Sequence, residues 1–174
     1  MEDVVTHEED WKVCFAELGP GLVLFARQFV RSIADAEDIV QDAFVRFWRK
    51  QHSGDPPTPG FGAANRGLLY ATVRSVALDL LRRDARRARR EATASADMEQ
   101  TTEPQFDFDD GSQRALAAAI DLLPVEQREV LVMKIWNELT FAEIASALSI
   151  SQNTAASRYR YALAALKKNF VVHE

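Results

Sequence analysis

Gln152, Asn153, Thr154, Ala156, Ser157, Arg158 and Arg160 crowd into a short stretch near the C-terminus, and their chemistry is hydrogen bonding, not bond making. The amides of Gln152 and Asn153 each pair a donor with an acceptor, which matches base edges in a DNA major groove. Arg158 and Arg160 carry permanent positive charge suited to phosphate. No constellation for covalent catalysis accompanies them. His7, His52 and His173 fall in tails and a loop, Cys14 is the only cysteine, and neither a nucleophile motif nor metal-ligand spacing occurs. The expectation is a binding protein and not an enzyme, with no metal and no cofactor.

Such side chains read bases only if a helix presents them end-on, and the flanking sequence supplies that helix. Thr140 with Glu143 three residues later forms a capping box that starts a helix near Phe141. Phe141, Ile144, Ala145 and Leu148 then fall on one face at helical spacing, before Ser149-Ile150-Ser151 interrupts the pattern. Ser151 is a natural N-cap for a second helix, which buries Ala155, Tyr159, Ala162, Leu163 and Leu166 and leaves Gln152, Asn153, Ala156, Ser157, Arg158 and Arg160 on or near the other side. Two short helices at a tight corner spell a helix-turn-helix, in which the first braces the second for the major groove. The same pattern also fits two neighbouring helices of an ordinary bundle.

The remainder narrows that choice. A chain of 174 residues accommodates one domain or two small ones. Hydrophobic residues make up 47% and recur with a period near 3.6, which predicts an all-helical class. No apolar run is long enough to insert into a membrane, and the acidic start MEDVVTHEED is unlike a signal peptide, so a cytoplasmic location is expected. The net charge of −5 looks wrong for a nucleic-acid binder until its placement is considered. Glu2, Asp3, Glu8, Glu9 and Asp10 load the N-terminus. Asp97, Glu99, Glu103, Asp107, Asp109 and Asp110 load the stretch 92–112, which has no lysine or arginine. Between them Arg82, Arg83, Arg86, Arg87, Arg89 and Arg90 are opposed only by Asp84. Cations so dense call for a polyanion alongside, although a solvated helix end, with cations at the negative pole of the dipole, is the plainer alternative.

In chain order, a helix over His7–Leu18 carries Trp11, Cys14, Phe15 and Leu18 and is expected to close at Gly19-Pro20-Gly21. A second runs from Leu22 to Ser32 with Leu22, Phe25, Ala26 and Phe29 inward and Gln28 elsewhere. A third, Ala36–Lys50, capped by Asp35 or Ser32, buries Ala36, Ile39, Val40, Ala43, Phe44, Phe47 and Trp48. Gly54, Pro56, Pro57, Pro59, Gly60 and Gly62 make Gln51–Asn65 a loop. A fourth helix, Leu68–Arg90, buries Leu69, Thr72, Val73, Val76, Leu80 and Leu81. Residues 92–112 read as an acidic, flexible linker in which Phe106 and Phe108 are out of character. Helices over Gln113–Leu122 and Val125–Trp136 complete the C-terminal unit.

The run Asp35-Ala36-Glu37-Asp38-Ile39-Val40-Gln41-Asp42-Ala43-Phe44, the segment from Leu69-Tyr70 through Arg74 to Arg82-Arg83, Leu123-Pro124-Val125-Glu126-Gln127-Arg128-Glu129-Val130, and the helix-turn-helix follow one another in order. In that order they resemble bacterial RNA polymerase sigma factors of the extracytoplasmic-function group, from about Trp11 to Phe170. The resemblance implies an all-α chain of two small helical domains, sigma region 2 at 8–91 and sigma region 4 with its helix-turn-helix at 113–172, joined by the linker at 92–112. It implies a factor that binds core RNA polymerase, recognises the promoter −35 and −10 elements and opens the −10 region to initiate transcription.

Matched residue by residue, Asp38, Gln41 and Asp42 resemble the face that docks on the clamp helices of the polymerase largest subunit, though Asp38 also suits a helix first turn as a bare charge. Asn65, Arg74, Ser75, Asp79, Arg82 and Arg83 match the −10 element, with Asp79 open to a plainer role as an arginine partner. Gln152, Asn153, Thr154, Ala156, Ser157, Arg158 and Arg160 match the −35 recognition helix. Promoter DNA, as duplex and as melted single strand, is the implied ligand, and an anti-sigma factor is a partner the family admits and the sequence leaves undecided. Departures occur: Leu68-Leu69-Tyr70 replaces a common Trp-Leu-Tyr, Ser149 replaces the turn glycine, Glu138 stands where a glycine often ends the preceding helix, with Asn137 available as the left-handed cap, and Asn153 replaces a usual glycine. Two rivals stay open on sequence alone, a dimeric helix-turn-helix repressor or activator and an all-helical protein-interaction adaptor.

Overall fold

A computed structural model describes residues 3–53, 63–92 and 111–171 of the chain. Among them the regular structure is entirely helical: α1 Asp3–Ala26, α2 Ile33–His52, α3 Ala63–Ala92, α4 Gly111–Asp121, α5 Val125–Ile135, α6 Phe141–Leu148 and α7 Gln152–Val171. The proline-rich loop over 54–62 and the linker over 93–110, with Phe106 and Phe108, lie outside the described residues.

The first expectation to fail is the break at Gly19-Pro20-Gly21, because α1 runs straight through Pro20. Proline removes one backbone donor and crowds the residue before it. Here that residue is Gly19, which has no Cβ to collide with the ring. The helix stops six residues later in a turn held by Arg27 N–H to Val23 O at 2.9 Å and Phe29 N–H to Ala26 O at 2.9 Å. Gln28 sits in that turn and is buried, against the expectation that it faces away. Ser32 is the N-cap of α2, accepting from Asp35 N at 3.3 Å; Asp35 adds charge to the first turn.

The helix α3 is longer than its sequence pattern and begins at Ala63. Its inner face is Leu69, Tyr70, Val73, Val76 and Ala77, all buried, whereas Thr72 is half-buried with its hydroxyl on Leu68 O at 2.8 Å. Leu81, expected inside, is exposed, and so is every residue from there to Glu91. The helix therefore leaves the packed body at Leu80 and continues into solvent on helix-favouring Ala, Arg and Glu.

Two apolar clusters hold the molecule together. One, built on Ala119, Ile120, Leu123, Leu131, Ala162 and Leu166, ties α4, α5 and α7 into a C-terminal lobe. The other joins the N-terminal lobe of α1, α2 and α3 to that lobe, because Leu22, Phe25, Phe44, Leu69, Tyr70 and Val73 share it with Met133, Leu139, Ile144, Ala147 and Ala155. The principal seam is α6 laid along α3. It requires glycine: a Cβ at Gly67 would stand 2.9 Å from Glu143 O, so the α6 backbone approaches closer than any larger residue permits. Gly21 of α1 likewise packs against the Asn137 side chain and the Tyr70 hydroxyl. Each large apolar side chain removed from water at this seam contributes about 1.5 to 3 kcal/mol.

Candidate nucleic-acid interface

The corner between α6 and α7 forms as its residues demand. Thr140 N–H donates to Glu143 Oε2 at 2.7 Å and Glu143 N–H donates to Thr140 Oγ1 at 3.2 Å, closing the capping box. At the other end Ser149 adopts φ 55° and ψ 45°, the left-handed conformation that glycine would take at lower cost. Ile150 N–H returns to Ala145 O at 3.0 Å, and Ser151 Oγ accepts from Thr154 N at 3.0 Å to start α7. The left-handed residue before α6 is Glu138, with φ 53°; Asn137, the expected cap, is instead buried.

This corner presents Gln152, Asn153 and Arg160 to solvent, with Ala156, Ser157 and Arg158 half-buried beside them. Arg160 Nη2 lies 3.3 Å from Ser157 Oγ, which aims it along the helix. The Thr154 hydroxyl is 2.8 Å from that of Ser151, so Thr154 serves the cap as well as the surface. Ala155 and Ala162 point inward as expected, whereas Leu163 is exposed.

The second set, on α3, is divided. Ser75, Arg82 and Arg83 are exposed, while Asn65, Arg74 and Asp79 are half-buried. Asp79 Oδ1 accepts from Arg82 Nη1 at 3.2 Å and its other oxygen lies 3.9 Å from Arg46 Nη1, so it is engaged as an arginine partner. Arg74 Nε donates to Glu129 Oε1 of the other lobe at 2.7 Å. Glu129 is only 1% exposed. Burial pushes its carboxyl above the ordinary carboxylate range, opposed by the Arg74 hydrogen bond and by the charges of Arg74 and Arg158.

Sequence reasoning overlooked two residues of this seam. Arg66, eight residues before Arg74 and so on the same side of α3, donates to Asn137 O at 2.9 Å and lies 3.9 Å from Glu143 Oε1. That spacing was a usable signal. Glu129 was signalled by a lone carboxylate entering the apolar run Val130-Leu131-Val132-Met133.

The third set stays together: Asp38, Gln41 and Asp42 are all exposed on α2. Asp42 Oδ2 pairs with Arg46 Nη2 at 2.8 Å, an exposed contact of little energetic weight. Beside Gln41 a cleft of about 550 Å³ opens between α1 and α2, walled by Phe15, Gly19, Pro20, Val23 and Val40. Among the described residues no group of three or more His, Cys, Asp or Glu side chains is arranged to hold a metal ion, and no helix is long and apolar enough to cross a membrane.

Known proteins of the same build exist. The sequence model for Sigma-70 region 2 matches residues 14–87 and that for Sigma-70, region 4 matches residues 113–166. ECF RNA polymerase sigma factor SigL of Mycobacterium tuberculosis is 28% identical over 149 residues, 82% of this chain and 78% of that protein. ECF RNA polymerase sigma factor RpoE of Cereibacter sphaeroides is 25% identical over 173 residues, 97% of this chain and 92% of that one. In fold the chain is similar to the sigma factor RpoE solved with the anti-sigma factor NepR from Bartonella quintana, with a TM-score of 0.69 at 21% identity over 95% of this chain and 99% of that one. It is also similar to CnrH solved with the cytosolic domain of CnrY, with a TM-score of 0.63 at 23% identity over 94% and 89%. With both sigma-70 regions in their order, and relatives of the same kind along most of its length, the chain belongs to the sigma-70 family of RNA polymerase sigma factors, in its extracytoplasmic-function group.

Proposed function

We infer that this chain directs core RNA polymerase to promoters and initiates transcription, acting through binding alone and carrying no bond chemistry of its own. The observation that carries the reading is the α6–α7 corner: its capped second helix turns Gln152 and Asn153 outward at the first turn, where a major groove admits a helix end. In this reading region 4, residues 113–172, reads the −35 element with Gln152, Asn153, Thr154, Ala156 and Ser157 while Arg158 and Arg160 hold phosphates. Region 2, residues 8–91, docks on the polymerase clamp helices through Asp38, Gln41 and Asp42. It then holds the melted −10 strand with Asn65, Arg74, Ser75, Arg82 and Arg83, Asp79 orienting Arg46 and Arg82. Residues 92–112 form the linker between them, and the cytoplasm is the compartment such work requires.

An anti-sigma protein belongs to the proposal because the RpoE structure cited above contains one, and such a partner would compete for the polymerase and promoter faces. The deciding experiment is transcription from a promoter library by core polymerase with and without the purified chain. The expected result is a set of start sites that appears only with the chain and shares upstream elements. An unchanged start-site profile overturns the reading.

A further inference from the structure

A row of charges crosses from the Asp42 face of α2 to the Arg82 face of α3, and its signs alternate: Asp42, Arg46, Asp79, Arg82. Each inner member of the row uses a separate atom for each neighbour. Arg46 gives Nη2 to Asp42 Oδ2 at 2.8 Å and holds Nη1 3.9 Å from Asp79 Oδ2, while Asp79 keeps its other oxygen, Oδ1, for Arg82 Nη1 at 3.2 Å. The chain on its own thus has two short pairs at the ends of the row and one longer gap in the middle. These side chains are 39 to 64% exposed, so a partner can reach either end.

We propose that Arg46 is a positioning residue that couples polymerase docking to strand capture by letting this row change partners by one place. A basic side chain of the polymerase takes Asp42, Arg46 closes on Asp79, and Arg82 is released to a phosphate of the melted strand. This rests on the assignment of Asp42 to the polymerase face and of Arg82 to the −10 strand. Every charge in the row is paired before binding and again once both partners are bound; with the polymerase alone, Arg82 is the one left over. The guanidinium is a planar fork of five donors, so Arg46 can exchange one carboxylate for the other with its stem in place. Once it closes on Asp79, the two guanidinium groups on that carboxylate repel each other, which loosens Arg82. By linkage, a bound strand favours polymerase docking by the same factor. Because the pairs are exposed, the coupling is modest, about threefold, and salt screens it.

The test reads two affinities of the full chain, one for fluorescent single-stranded DNA of randomised sequence and one for core RNA polymerase. Arg46→Met removes the shared cation and keeps an apolar stem. Asp79 then bonds Arg82 alone, and Asp42 loses its internal competitor. Strand affinity is expected to fall about threefold while polymerase affinity rises about threefold, whereas damage to the fold lowers both. Arg49→Met, also exposed and one turn further along α2, removes the same charge outside the row and is expected to change either affinity by less than about 1.5-fold.

Asp42→Asn stands in for an Asp42 already neutralised by the polymerase. It is expected to raise the strand affinity of the free chain about threefold at low salt, and to have no such effect when Arg46→Met is also present. Arg46→Lys, which keeps a mobile cation, is expected to preserve the gain. A gain that persists with Arg46→Met is a through-space effect of charge and overturns the proposal, as do equal losses of both affinities in Arg46→Met or matching behaviour of Arg46→Met and Arg49→Met. Absence of strand or polymerase binding by the wild type and every variant overturns the site assignment itself, and the coupling with it.

Discussion

Arg74 and Glu129 stand fifty-five residues apart in sequence and 2.7 Å apart in space, and theirs is a hydrogen-bonded ion pair that joins the two lobes. Glu129 is buried and bonded to the other lobe, so its proton affinity responds to Arg74 as well as to its own surroundings. Burial raises its pKa against the charges of Arg74 on α3 and Arg158 on α7, with Glu126 of its own helix adding to the rise. The folded form therefore holds this proton more tightly than the unfolded chain, and folded stability falls as pH climbs from the ordinary carboxylate range through the raised value. Glu129→Gln cannot titrate. The thermal stability of the wild type relative to this variant is expected to decline across that window, and a difference that stays flat from about pH 4 to 8 contradicts the buried-carboxyl account.

Left-handed backbone at Glu138 and Ser149 costs what glycine there would not. Replacing either by glycine is expected to stabilise the chain by about 0.5 to 1 kcal/mol, after allowing for the greater freedom of glycine in the unfolded chain. Melting temperature should rise by about 1 to 4 °C for each change. A fall would mean that a side-chain contact of the native residue outweighs the strain.

On the recognition helix, Gln152→Ala is expected to weaken binding to a selected promoter duplex by about 1 to 3 kcal/mol and to relax the preference at one base pair. Arg160→Ala should weaken binding evenly across sequences and reduce the salt dependence by about one counterion. Neither should alter capture of core polymerase, measured by co-precipitation. Loss of capture in step with DNA binding would show that α7 faces the enzyme.

For α2, Asp38→Ala combined with Gln41→Ala is expected to reduce polymerase capture about tenfold or more while leaving the helix intact, since both side chains are exposed. Circular dichroism checks the helix and co-precipitation the capture. Undiminished capture would remove this face from the interface.

Legibility in the sequence followed the range of the interaction. Local rules sufficed for the Thr140–Glu143 box, the Ser151 cap and the alternating faces of α2, because each is decided within a turn or two of chain. Failures came where distant residues decide. Pro20 is tolerated by a glycine neighbour and a long helix, Gln28 is covered by packing that its own segment does not reveal, and Leu81 lies just past the point where the body ends. The start of α7 was legible from its own cap, but the occupation of Arg74 was invisible, since nothing near it in sequence names Glu129. An apolar face signals that it will be covered, not by what.

The exposed end of α3 bears on how a promoter first meets the protein. From Leu81 to Arg90 every residue of the helix is exposed, and ten residues at about 1.5 Å each make this arginine-studded stretch about 15 Å long. That reach exceeds the distance of about 8 Å over which salt screens charge in the cell. A polyanion drifting past is thus snagged at the tip before it feels the rest of the surface, whichever way the lobes are set. Once tethered there, it is presented to its neighbouring sites at far higher local concentration than in free solution.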